Sequence, residues 1–375
     1  MRTLILSISA GGGHVNAAEA IESYIKLNNP NAVTMILDTY KYINPFLDKV
    51  VIGGYLKSLK FSPAIFGKLY KLAETDDSIA SFSNKINEMI IHKLIPLLEE
   101  FKPDIIVTTH AFSTEMMSLL KSKYTIDIPV VTIMTDYAPH SFWLHPHIDA
   151  YVISNDDMVT EMIDRGIPRQ VIYPLGIPVK PEFITKYLRD DILSSLNLDI
   201  NKNTLLLMGG SLGMGKITEL YQELQYVNKD IQIIIITGNN KKLYSQLREL
   251  SKTSKKTTKI IGYTNEVNKY MQASDLLITK PGGLTITEAL VSHTPLAIFS
   301  AIPGQEEKNA EFLMEHNLAI DLSDCKNCSD KIDAILDSES SLSNMKTNCI
   351  KYAKPNSGND IYDLLLKLIS KEAYN

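Results

Sequence analysis

Two stretches of the chain set an ionisable side chain just beyond a run of glycines at a strand-to-helix junction. In the first, the apolar run Leu4 to Ser9 meets Ala10-Gly11-Gly12-Gly13-His14, and helical spacing of Ala17, Ala18, Ala20, Ile21 and Ile25 begins at once. A histidine there is either a solvent-facing residue of the first helical turn or a base aimed into the crevice at the strand's carboxyl end. In the second, Asp275-Leu276-Leu277-Ile278-Thr279 runs into Lys280-Pro281-Gly282-Gly283, and the helical pattern Leu284 to Leu290 follows. The first N–H groups of such a helix carry about half a positive charge and suit a phosphate. Glu288, roughly one helical turn further on, is then placed to accept two ribose hydroxyls of a nucleotide whose diphosphate rests on the turn. The alternative is a plain strand–helix connection with a surface carboxylate.

A third glycine run, Gly209-Gly210-Ser211-Leu212-Gly213-Met214-Gly215-Lys216, follows the strand Thr204 to Met208. Gly210 to Lys216 meets the G-x-x-x-x-G-K part of a P-loop, but Ile217 stands where a magnesium-holding Ser or Thr belongs. What remains is a second loop suited to phosphate oxygens. The first glycine run likewise departs from the dinucleotide fingerprint, because no third glycine and no ribose-binding acid follow at the right offsets.

Strands are expected at Ile105 to His110, Val130 to Thr135, Ala150 to Ser154, Ile231 to Thr237, Lys259 to Thr264 and Leu296 to Phe299, with helices between them. That alternation makes the fold class α/β with parallel sheets. The loops after the earlier strands carry His110, Asp136, His140, Trp143, His145 and His147, which such a sheet gathers at one edge. The histidines at 140, 145 and 147 match no helical i, i+4 pair and have no carboxylate nearby in sequence, so no metal site is expected.

A chain of 375 residues exceeds what one core usually serves, and the proline- and glycine-rich Pro174 to Pro181 reads as the linker between two domains. A net charge of −5 argues against a nucleic-acid partner. The three cysteines, Cys325, Cys328 and Cys349, form one C-x-x-C with no second pair, which suits reduced structural thiols rather than zinc. Met1 to Ser9 reads as a buried strand rather than a signal peptide, and no apolar run is long enough to span a bilayer.

Tyr40 to Lys71 differs from the rest. It interleaves Tyr40, Tyr42, Phe46, Tyr55, Phe61, Phe66 and Tyr70 with Lys41, Lys49, Lys57, Lys60, Lys68 and Lys71 against the single acid Asp48, a local charge of +5. Such a surface can enter the headgroup layer of an anionic membrane; a core-packed helical excursion with a solvated lysine face is the alternative.

Together, Ser9 to Ile21, Thr135 to Asp156, YPLGIPVKPEF from Tyr173, GGSLGMGKI from Gly209, GYTNEV, KPGGLTITEA and PGQEEKNA resemble the glycosyltransferases of monogalactosyldiacylglycerol-synthase type, including bacterial processive diacylglycerol glucosyltransferases. The motifs cover nearly the whole chain in the family's order. The resemblance implies the GT-B architecture, two Rossmann-like domains facing a cleft. Residues 1–177 would form the acceptor- and membrane-facing domain, joined by the C-terminal helix 356–375, and 178–355 the UDP-sugar-binding domain.

It further implies that Gly209, Gly210 and Ser211 border the diphosphate and that Gly282 and Gly283 contact it. Glu288 would bind the ribose, and Gln305, Glu306 and Asn309 would face the donor sugar. Tyr263 and Thr285, within the same motifs, join the donor-binding set. Gly12, Gly13 and His14 fall on the acceptor side, with Asp136 and His145 near the reacting carbon. His14 or Asp136 would be the general base, the other orienting it.

The expected activity is inverting transfer of glucose or galactose from a UDP-sugar to diacylglycerol, without a cofactor, by a peripheral enzyme on the cytoplasmic face of the membrane. An N-acetylglucosaminyltransferase acting on a lipid-linked cell-wall precursor and a non-catalytic nucleotide-sugar-binding protein are the alternatives. The GGGH loop and the +5 segment weigh against the first, and the set His14, Asp136, Glu288 and Gln305 against the second.

Overall fold

The computed structural model describes residues 1–9, 12–43, 90–210, 213 and 215–372, with Gln305, Cys325, Lys371 and Glu372 defined in their backbone alone. Gly11, Ser211 and the part of the basic aromatic segment from Asn44 to Lys71 lie outside the described residues. The chain divides into two compact units. The first comprises Met1–Pro181, Ile302–Lys308 and Lys354–Asn375, and the second Glu182–Ala301 and Asn309–Ala353. The first unit thus runs on from Ile177 through Pro181.

In the first unit β1 (Arg2–Ser7), β2 (Val33–Asp38), β3 (Ile105–Thr108), β4 (Val130–Ile133), β5 (Ala150–Val152) and β6 (Ile172–Tyr173) form a parallel sheet in the order β2-β1-β3-β4-β5-β6. Alternation along β1 sends Leu4, Leu6 and Ile8 into one core and Ile5 into another on the opposite face. Both faces are covered, which is why the strand reads as an unbroken apolar run. The second core is completed by Ala18, Ile21 and Ile25 of the helix Gly13–Asn28 and by Ile361, Leu364 and Leu365 of the helix Ser357–Glu372. The return of the chain is fastened by Lys354 Nζ to Asp156 at 3.0 Å and by Ser357 Oγ donating to the Gly176 carbonyl at 2.7 Å. These contacts place Lys354 and Pro355 in the first unit, ahead of the expected start at residue 356.

In the second unit β7 (Asn203–Met208), β8 (Ile231–Ile236), β9 (Thr257–Ile261), β10 (Leu276–Thr279), β11 (Leu296–Ile298) and β12 (Ala319–Asp321) are again all parallel, in the order β12-β11-β10-β7-β8-β9. Leu205, Leu207, Ile233 and Ile235 meet Ile217, Leu220 and Leu247 from the flanking helices. Cys328 and Cys349 are buried free thiols, as expected of structural cysteines, and burial pushes the Cys349 thiol up to about 12. Among the described residues no helix is long and apolar enough to cross a membrane.

Each sheet has one point where successive connections leave in opposite directions. In the first it lies between β1 and β3, in the second between β7 and β10. Open α/β sheets bind ligands outside the carboxyl ends of the strands at this point. The loop after β1 carries Gly12, Gly13 and His14. The loops after β7 and β10 carry the other two glycine runs.

Candidate active site

In the first unit His14 sits in the first turn of the helix Gly13–Asn28, half-buried, where Gly12 caps the helix with no side chain. Its Nδ1 lies 3.0 Å from the Thr109 carbonyl oxygen, just beyond β3, and 2.8 Å from Thr135 Oγ1, just beyond β4. A carbonyl only accepts, so the proton of the neutral ring is on Nδ1 and the lone pair is on Nε2. Burial holds the His14 pKa down at about 4, the bond to the Thr109 carbonyl opposing this only in part. The ring is therefore neutral at pH 7 and able to take a proton.

Hydroxyl groups brace this arrangement from below. Thr109 Oγ1 is 2.9 Å from both Ser7 Oγ and the His14 carbonyl, so β1, β3 and the histidine's own backbone are tied at one point. The His110 ring meets His14 edge-on at 4.5 Å between centroids. His110 caps the helix Ala111–Lys123, its Nδ1 accepting the Phe112 N–H at 3.2 Å. Burial, and then the neighbouring His14, hold its pKa well below the ordinary value.

Asp136 is buried, and its Oδ2 accepts the Trp143 indole N–H at 3.1 Å. The Trp143 ring in turn lies 6.3 Å from that of His14. The groups on His14 Nδ1 are thus two threonines, while Asp136 and Trp143 form a pair beside the same ring. Sequence alone did not single out Thr109 or Thr135; the one signal was their position immediately before His110 and Asp136 at the ends of two apolar runs.

His145 donates from Nε2 to the Phe142 carbonyl at 3.0 Å, and its backbone is clasped by Tyr151, whose hydroxyl takes the His145 N–H and donates to its carbonyl, both at 2.7 Å. Burial lowers its pKa to about 4. His140 Nδ1 accepts the Phe142 N–H at 3.2 Å. These ring nitrogens serve loop backbone. Among the described residues no group of three potential ligands gathers for a metal ion.

Three histidines held neutral give the fold an acid-sensitive stability. Each folded-state pKa, for His14, His110 and His145, lies below the unfolded value of 6.5, so below that pH the unfolded chain binds protons that the folded chain does not. Stability is complete above pH 6.5 and is lost as pH falls, by about 1.4 kcal/mol per pH unit for each group. The urea midpoint of the first unit should fall clearly between pH 7 and pH 5; an unchanged midpoint would contradict this.

In the second unit Gly209 is buried at the end of β7 and Gly210 is exposed, with φ +71, a backbone state that side chains with a Cβ rarely adopt. The Gly213 N–H donates to the Gly210 carbonyl at 3.0 Å, closing the loop. After β10, Gly282 caps the helix Gly283–Val291, whose first internal bond is from Ile286 N to the Gly282 carbonyl. The N–H groups of Gly283, Leu284 and Thr285 precede that bond and have no intrahelical acceptor. A methyl group added at Gly282 would meet nothing within 4 Å, so the space an anion needs is open.

Glu288 is half-buried and lies five residues beyond Gly283, about 7 Å along the helix axis. Asn309 is buried, and its Nδ2 donates to the Pro281 carbonyl at 3.0 Å, so it supports the Lys280–Gly283 turn from within. In the stretch Ile302–Lys308, which belongs to the first unit, Glu306 Oε2 accepts the Ile302 N–H at 2.7 Å, stabilising the loop that starts the helix Gln305–Glu315. Tyr263 follows the edge strand β9 and is 64% exposed, an aromatic face free to stack.

Residues 14–179 match the family described as monogalactosyldiacylglycerol (MGDG) synthase, and residues 204–360 match the glycosyltransferase family 28 C-terminal domain. The chain is similar to the processive diacylglycerol beta-glucosyltransferase of Bacillus thuringiensis (strain Al Hakam), with 29% identity over 98% of this chain and 93% of the relative. Among solved structures it is similar in fold to MurG of Acinetobacter baumannii, with TM-score 0.66 and 14% identity over 98% of this chain and 99% of that one. It is also similar in fold to the UDP-GlcNAc 2-epimerase of Neisseria meningitidis bound to UDP-GlcNAc, with TM-score 0.63 and 14% identity over 98% of this chain and 100% of that one. Two Rossmann-like units of GT-B type, with a glycine-led histidine in one and two glycine loops in the other, thus carry in order a domain of the monogalactosyldiacylglycerol-synthase family and a glycosyltransferase family 28 C-terminal domain.

Proposed function

We propose that the protein transfers a hexose, glucose or galactose, from a UDP-sugar to diacylglycerol with inversion at the anomeric carbon. The observation that carries this is the state of His14. At the switch point of the first sheet, the Thr109 carbonyl fixes its proton on Nδ1 and leaves Nε2 as a base. Nε2 takes the proton of the acceptor hydroxyl as its oxygen attacks the anomeric carbon, and the bond from that carbon to the UDP oxygen breaks. The negative charge growing on UDP is met by the helix start at Gly283 and by the Gly209–Gly215 loop, so the UDP-sugar is the only co-substrate and no cofactor is invoked. Glu288 accepts the ribose hydroxyls, with Tyr263, Thr285, Gln305 and Glu306 completing the donor set. One in-line displacement turns an α-linked donor into a β-glycoside.

The diacylglycerol acceptor is supported by the relatives at 29% identity, and the UDP-sugar by the UDP-GlcNAc held by the structural neighbour from Neisseria meningitidis. Incubation with diacylglycerol liposomes and radiolabelled UDP-glucose or UDP-galactose, followed by lipid chromatography, should give labelled glycolipid from one of the two. No label in lipid from either would overturn the assignment.

The enzyme acts as a peripheral protein on the cytoplasmic face of an anionic membrane, which reduced thiols and a soluble nucleotide donor support. Within the basic aromatic segment Tyr40 is buried, Tyr42 is exposed, and the exposed Lys41 pairs through Nζ with Asp38 at 3.2 Å. The membrane contact is assigned to the rest of the segment, with Tyr40 excepted. Liposome flotation should weaken as salt rises and as Lys57, Lys60 and Lys68 are neutralised, by about 1 kcal/mol per lysine near the surface. Flotation indifferent to both would remove this claim.

A further inference from the structure

We propose that Thr135 is a positioning residue for His14, the second of two uncharged acceptors that hold the Nδ1 proton and so keep Nε2 free for the acceptor hydroxyl. In a serine-protease-type triad a carboxylate does this work. Here the Thr135 hydroxyl, 2.8 Å from Nδ1, shares the proton with the Thr109 carbonyl at 3.0 Å. The geometry leaves the hydroxyl one role toward this ring: with Nδ1–H committed to a carbonyl that cannot donate, Thr135 Oγ1 accepts as well. Thr135 is buried just beyond β4, and Thr109 is buried just beyond β3, so two neighbouring strands present the pair from a rigid edge.

Two neutral acceptors orient the ring without the pull of an ion. The resting histidine stays a weak, neutral base in its buried place. When it takes a proton on Nε2, the charge that spreads to Nδ1–H meets two oxygens already in position. Asp136, next in sequence to Thr135, accepts the Trp143 indole N–H and so fixes the wall beside the ring. The role of Thr135 in turnover rests on the transferase assignment above; its effect on the imidazole tautomer does not.

The test uses full-length protein labelled with ¹⁵N-histidine, as wild type, Thr135→Val and Thr135→Ser, with His14→Gln to assign the resonance. Long-range proton–nitrogen spectra at pH 7 should show His14 as the Nδ1–H tautomer in the wild type and in Thr135→Ser. In Thr135→Val a share of the Nε2–H tautomer should appear. With diacylglycerol and the UDP-sugar, Thr135→Val should lose about 10- to 100-fold in kcat, the effect of one hydrogen bond to a group that becomes charged. The donor KM should change by less than about twofold, and Thr135→Ser should keep most of the rate.

An Nε2–H tautomer in the wild type would overturn the proposal, as would a Thr135→Val protein with the wild-type His14 signal. Equal rate loss in the serine variant with an unchanged tautomer would assign Thr135 a packing role and also overturn it. A wild type that makes no glycolipid yet shows the valine-dependent tautomer shift would fail the transferase assignment alone.

Discussion

His14→Ala should lower kcat by about 10³-fold while UDP affinity stays within about twofold. The two glycine loops proposed to hold the diphosphate and Glu288 lie in the second unit and the histidine in the first, so removing the base leaves these nucleotide contacts in place. Calorimetric titration with UDP beside the lipid assay separates the two effects. The pH dependence should carry the same signature. Burial holds the His14 pKa at about 4, so the acid limb of kcat/KM should begin below pH 5 and not near the ordinary histidine value of 6.5. Near-full turnover in His14→Ala would remove the histidine from the mechanism. An acid limb centred near pH 6.5 would contradict the buried, neutral state.

The second large effect is expected at Glu288. Replacing it with alanine removes an anionic acceptor from two ribose hydroxyls and should raise the Kd for UDP by about 10²-fold, with a matching rise in the donor KM. Glu288→Gln keeps a neutral acceptor and should fall between the wild type and alanine. The buried face of this short helix is made by Leu284, Ile286, Ala289 and Leu290, which both changes leave intact. UDP binding unchanged in Glu288→Ala would show that the ribose sits elsewhere.

How far these roles could be read from sequence depended on whether they rest on local or distant neighbours. The strand–glycine–helix junctions at His14 and Glu288 were legible because the apolar period, the glycines and the titratable residue all fall within one short stretch. Both sheets and their parallel sense followed from the same alternation. The strands Ile172–Tyr173 and Ala319–Asp321 are too short for any period to register, and Val33–Asp38 lies half-buried at a sheet edge. The strand expected at Lys259 to Thr264 instead spans Thr257–Ile261, because an edge strand accepts the polar Thr257, Thr258 and Lys259 where a central one would not.

Side-chain roles that depend on long-range pairs were not legible. Thr135 acts on a ring 121 positions away in sequence, and a threonine at a strand end reads as ordinary β-propensity. The bond from the Asn309 amide to the Pro281 carbonyl was likewise invisible, a partner set by how a helix meets a turn far from it in sequence. The membrane-facing expectation for Tyr40 is corrected on the same ground: its burial depends on packing against Phe112, with ring centroids 5.9 Å apart.

The most direct measurement is the anomeric configuration of the lipid product. Isotope-labelled UDP-glucose and UDP-galactose should each be offered with diacylglycerol, and the purified glycolipid read by the proton coupling at its anomeric carbon. A β-linked hexosyl diacylglycerol from one of these donors is the expected result. An α-linked product, or no glycolipid from either donor, would contradict single-displacement transfer to diacylglycerol with His14 as the base.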